Sequence, residues 1–152
     1  MKKTPTDLKL LNAIYDRYYE DFAKHSKEER LRDSKIYVPI DCAEIANQLG
    51  VDADIVFGRL YYHLQNKYGY TQDDGSKVAF FTMQVGKDRH CVNFPYLASV
   101  LATLRLENLR FKITVWIAVV ALVISSLALG VSLTKESSNK HIQQMHYEEP
   151  RK

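Results

Sequence analysis

The sequence predicts a mainly α-helical chain with a small β hairpin, followed by a long helix that continues into one transmembrane helix. Three observations predict it. Apolar side chains recur at three- and four-residue spacing through three stretches before residue 70, two β-rich runs follow a turn-forming cluster, and residues 113–133, ITVWIAVVALVISSLALGVSL, carry no charge.

The first element is marked by Leu8, Leu11, Tyr15, Tyr18 and Phe22, which share one face of a helix expected over residues 7–31. The short run IYVP, 36–39, is β-rich, and its proline confines it to a sheet edge or a strand end. Asp41-x-x-Glu44 has the form of a capping box and opens a second helix with Ile45, Ala46 and Leu49 inward. Gly50 closes that helix as a left-handed cap, and Asp52 caps a third helix whose Val56, Leu60 and Leu64 face the core. DDGS at 73–76 is turn chemistry. KVAFFTMQV, 77–85, and RHCVNF, 89–94, then read as two strands joined by Gly86, Lys87 and Asp88.

Pro95 suits the first turn of a new helix. No glycine or proline follows it until Gly130, so one nearly continuous helix is expected over 96–133. Its apolar stripe, Val100, Leu104 and Phe111 or Leu97, Leu101 and Leu104, serves either packing onto the domain or a coiled-coil dimer. The organisation is therefore a domain at 1–95, a juxtamembrane helix at 96–112, a transmembrane helix at 113–133 and a short polar tail at 134–152.

The order helix, short strand, helix, helix, hairpin, together with EIANQLGVDADIV at 44–56, resembles the winged helix-turn-helix superfold over residues 7–94. That resemblance implies a third helix able to lie in a DNA major groove, with Ala53, Asp54, Phe57, Gly58 and Tyr61 outward. A fold alone does not fix a role. Base edges are read by Arg, Lys, Asn, Gln, Ser or Thr, whereas Asp52 and Asp54 repel phosphates. Residues 35–95 carry six basic and seven acidic side chains, so the basic footprint expected of a DNA-binding domain is missing where it belongs. Three readings of the third helix stay open. Asp54, Phe57 and Tyr61 form a protein-contact face; or Phe57 and Tyr61 are covered by the N-terminal helix; or Arg59, Lys87 and Arg89 contact DNA phosphates.

The 21 uncharged residues of the apolar run reach roughly 30 Å as a helix, one hydrocarbon thickness. Trp116 suits a headgroup-level anchor, and no ionisable group inside the run suggests an ion path. Arg105, Arg110 and Lys112 precede it, and Lys135 and Lys140 follow it beside Glu136, a bias that places the N-terminal domain in the cytoplasm. With the run close to the C-terminus the chain resembles a tail-anchored protein, and fold prevalence points to a bacterial inner membrane. MKKTPTDLKLLNAIYDRYYEDF has no apolar signal region, and Cys42 and Cys91 read as buried thiols of a reducing compartment. Ala121, Ser125, Ala128 and Ser132 form a small-residue stripe suited to helix self-association, as do Ser126 and Gly130.

Histidines 25, 63, 90, 141 and 146 show no metal-ligand spacing, and no nucleophile, phosphate-loop or dinucleotide motif occurs, so neither an enzyme nor a cofactor is expected. The leading expectation is a single-pass membrane protein presenting a winged-helix module as a protein-interaction adaptor. Its partners would be the bilayer, a protein and a second copy of itself, with DNA disfavoured. The alternative is a membrane-tethered transcription regulator whose organisation resembles the ToxR and CadC type, without their sensor domain.

Overall fold

Thr6 opens the chain's first helix, α1 (Asp7–Ala23), by accepting the Lys9 N–H on its hydroxyl. In the computed structural model, residues 4–25 and 32–147 are described, with side chains through residue 130. Two units divide the chain, Met1–Leu106 and Glu107–Lys152.

Helix α1 ends eight residues before the expected 31: Lys24 is its C-cap, and its N–H returns to the Glu20 carbonyl. Residues 26–31, the rest of that expected helix, lie outside the described residues. Strand β1 (Tyr37–Pro39) is short, with its proline last, as the steric argument requires. Helix α2 (Cys42–Leu49) begins under Asp41, whose carboxylate accepts the Ala43 and Glu44 N–H groups at 2.7 and 3.2 Å. It ends at Gly50, at φ +68, with nothing near the position a Cβ would take.

The capping box is only half formed. Tyr18 of α1 inserts its hydroxyl between the two partners: it accepts the Asp41 N–H at 2.8 Å and donates to Glu44 at 3.0 Å. Arg17 holds the other Glu44 oxygen at 2.6 Å. Burial, with the Glu44 carboxylate behind it, pushes the Tyr18 phenol up to about 12.

Asp52 caps helix α3 (Ala53–Gly58) through the Asp54 N–H. The expected third helix continues, but not uniformly: Arg59–Leu64 is a π-helical turn, followed by α4 (Gln65–Tyr68). In an α-helix a row of side chains at i, i+4, i+8 drifts by about 40° per step. A π turn takes more residues and winds that row back. Val56, Leu60 and Leu64 consequently all reach the core, fully buried.

Strand β2 (Tyr70–Thr71), which nothing in the sequence announced, pairs antiparallel with β3 (Lys77–Val78) across the DDGS turn. The expected single strand over 77–85 is therefore two: β3, then β4 (Phe81–Val85). Gln65 causes the break, its side-chain carbonyl accepting the N–H of both Phe80 and Phe81 at 2.8 and 2.9 Å. Strand β5 (Asp88–Asn93) returns through a two-residue turn in which Gly86 supplies φ +58. The main sheet has the order β1-β5-β4, all antiparallel.

Helix α5 (Phe94–Tyr147) starts one residue before Pro95, with the buried Asn93 side chain accepting the Tyr96 N–H. Its first turns belong to the N-terminal unit: Phe94, Leu97, Val100 and Leu101 are buried with Leu10, Leu11, Ile14, Ile45, Phe80 and Phe81 in one core. Arg105 donates to the Asn12 side chain and lies 5.6 Å from the Tyr15 ring. Packing onto the domain is thus the role of Leu97, Val100 and Leu101, and Leu104 is half-buried against the same core.

Both cysteines are buried free thiols, as expected. The architecture is mainly α with small antiparallel sheets and a long apolar C-terminal helix. Within it Phe94–Gly130, 37 residues, is long and apolar enough to cross a membrane, consistent with a single span.

Candidate functional site

The residues singled out on the third helix separate into two faces. On one, Asp7 of α1 gathers two cations and an imidazole. Its carboxylate accepts Arg59 through Nε and Nη2 at 2.9 and 2.7 Å, and it meets His63 at 3.3 Å and Lys67 at 3.4 Å. The π turn explains how three residues spaced by four reach one acceptor: it keeps Arg59, His63 and Lys67 in a single row. Burial works against the Asp7 charge, but the Arg59 guanidinium and then His63 outweigh it and hold the carboxyl below its usual 3.8. Tyr68 and Asp7 hold the Lys67 ammonium charged.

The other face is aromatic. Phe57 and Tyr61 stack at 5.5 Å with planes 13° apart, and each meets Phe81 edge-on. Phe57 is half-buried against the core, with Tyr61, Phe81 and His90 as its ring partners. Tyr61 stays 40% exposed, and Tyr62, perpendicular to it at 5.0 Å, is 72% exposed. His90 on β5 completes the cluster, its ring 5.5 Å from Phe57 and 6.3 Å from Phe81. It takes φ +53, the left-handed region that non-glycine residues seldom occupy. Two rare backbone features, the π turn and this residue, thus converge on one aromatic cluster. Such features concentrate where function constrains the chain.

Asp54 is exposed at the start of the same helix, its N–H given to Asp52. Of the three residues considered for phosphate contact, Arg59 is committed to Asp7, while Lys87 and Arg89 lie exposed at the β4–β5 turn. Lys87 donates its backbone N–H to Asp33 at 2.6 Å, and Asp33 donates its own to Asp88 at 3.0 Å, which fixes the turn against the segment before β1.

Sequence reasoning missed Tyr62, Tyr70 and His90. The adjacent pair at 61–62 was a visible signal, because the inward row Val56, Leu60 and Leu64 leaves Tyr62, halfway between Leu60 and Leu64, on the opposite side of the helix. His90 gave none.

In the apolar helix Ala121, Ser125 and Ala128 are exposed. The Ser125 and Ser126 hydroxyls bond the carbonyls four residues back at 2.8 Å, so neither needs a partner from another helix. Ser132 lies outside the residues whose side chains are described. Among the described residues, no group of three His, Cys, Asp or Glu side chains is placed to hold a metal ion. Comparison with protein-family models, with curated proteins and with solved structures finds no match to this chain.

Proposed function

We propose that this chain is a single-pass membrane protein whose N-terminal domain is a winged-helix module facing the cytoplasm and binding a protein through its third helix. The element order α1, β1, α2, α3 and the β1-β5-β4 sheet support the winged-helix reading, with the β2–β3 hairpin as an insertion before the wing. The unburied apolar helix supports the membrane, and the excess of Arg105, Arg110 and Lys112 over Lys135 and Lys140 supports the orientation.

One observation carries the choice of partner class. The helix that would enter a DNA groove turns its arginine onto Asp7 and leaves Tyr61 and Tyr62 exposed beside Asp54. Phosphates need unpaired cations at that surface, and protein interfaces favour exposed aromatics.

The test places a photoreactive phenylalanine derivative at Tyr62 in the full chain in membranes, with Asp16 on the exposed face of α1 as control. Cross-links to a protein of discrete mass from Tyr62 and not from Asp16 are expected. Cross-links to nucleic acid would instead establish the membrane-tethered regulator and make Lys87 and Arg89 the residues to mutate.

A further inference from the structure

Tyr61 and Tyr62 also form one wall of an open groove of about 560 Å³, whose other lining residues include Gln65, Asn66, Tyr70 and Lys77. A second groove shares Tyr70 and Thr71 with it and continues along Gln72, Asp73 and Asp74. We propose that these two adjoining grooves, beside the third helix and along the β2–β3 hairpin, together bind an extended segment of a partner protein through an arginine or lysine side chain. The proposal rests on the reading of the neighbouring face as a protein-contact surface and names the chemistry that surface selects.

Three exposed phenol rings surround the space, and each is held. Tyr61 is stacked on Phe57, Tyr62 stands perpendicular to Tyr61, and Tyr70, 51% exposed, meets Tyr96 edge-on at 6.0 Å. Tyr96 is itself fixed, donating its hydroxyl to the Tyr68 carbonyl at 2.9 Å. Rings already held around one space attract a cation without the entropic cost of ordering the side chains first.

Charge points the same way. Asp73 and Asp74 stand on the hairpin turn, and Ser76, through its side chain and then its N–H at 2.9 Å, helps keep Asp74 ionised. These two carboxylates line the second groove, and the tyrosine-lined groove beside it carries one lysine, Lys77, which pairs with Thr71 across the hairpin. A nucleic-acid strand could stack its bases on the tyrosines, but its phosphates would meet both aspartates. A cationic peptide meets rings and carboxylates together, and the exposed Asn66 amide is placed to hydrogen-bond its backbone.

The experiment uses the full chain in nonionic detergent micelles with carbon-13-labelled tyrosine rings, assigned through single Tyr→Phe variants. The probes are blocked Gly-Arg-Gly, its neutral citrulline counterpart, Gly-Glu-Gly and an oligothymidylate. Gly-Arg-Gly should shift the Tyr61, Tyr62 and Tyr70 resonances saturably, with the citrulline peptide about fivefold weaker. Tyr62→Leu should weaken arginine binding about fivefold and Asp73→Asn about twofold, with the resonances of tyrosines remote from the groove, such as Tyr15 and Tyr18, unmoved as evidence of an intact fold. Equal binding of the citrulline peptide, tighter binding of the glutamate peptide or the oligonucleotide, or no shift at the solubility limit would each overturn the proposal. A protein cross-link from Tyr62 combined with equal citrulline binding would leave the adaptor reading standing and remove this one alone.

Discussion

Asp7 and Tyr18 show how single side chains of α1 fix the helices packed on it. The Asp7 carboxyl is held below its ordinary 3.8 in the folded chain, so its contribution to stability is present above about pH 4 and is lost as pH falls through the lowered folded value. Asp7→Asn should therefore cost about 1–2 kcal/mol at neutral pH and flatten the acid limb of a stability-against-pH curve measured by chemical denaturation. An unchanged acid limb would mean that the Arg59 contact contributes nothing. Tyr18 runs the opposite way. Its folded value of about 12 lies above the ordinary 10, so its contribution is complete below pH 10 and is lost between 10 and 12. In a spectrophotometric titration Tyr18 should ionise late among the ten tyrosines, and Glu44→Gln should bring it down by removing the charge it donates to. Tyr18→Phe strands the Asp41 N–H and should cost about 1–2 kcal/mol.

At the scale of elements, the caps were legible because they are local. Asp41, Gly50 and Asp52 act within four residues of themselves, and each stands where the sequence put it. Gly50→Ala should cost about 1 kcal/mol, all of it backbone, since the added methyl meets nothing. The divided strand was not legible, because its cause lies 15 residues upstream in Gln65. Gln65→Leu keeps the bulk and removes the acceptor for two N–H groups. It should destabilise the domain by about 2 kcal/mol, read as a lower thermal midpoint. Strands of two residues, such as β2 and β3, carry no alternation to recognise. Nor did periodicity reveal the π turn, since two successive spacings of four drift by only about 80° in an α-helix and still fit within one apolar stripe. The aromatic site was half legible for a related reason: Phe57 and Tyr61 lie on the helix that drew attention, whereas His90 joins them only through the fold of β5.

For the whole molecule, the long helix settles how the protein must be handled. If α5 spans a bilayer, the full chain should stay in the membrane pellet through alkaline carbonate extraction. Replacing Val120 and Ile124 together by Lys should release it or trigger its degradation, since each lysine costs about 2.5–3.5 kcal/mol at a helix centre. Retention of the double variant would contradict the span. One further consequence comes from where the core ends. Leu97, Val100 and Leu101 are as much a part of the domain's interior as Leu10, and Arg105 is still joined to Asn12. The domain and the apolar helix therefore have no linker between them that a protease could sever harmlessly before residue 101. A cut on the far side of Arg105 would shed a complete module, whereas a cut a few residues earlier would destroy it. Any liberation of this domain by juxtamembrane or intramembrane cleavage must therefore cut beyond Arg105, and the site of the cut decides between a working fragment and a substrate for degradation.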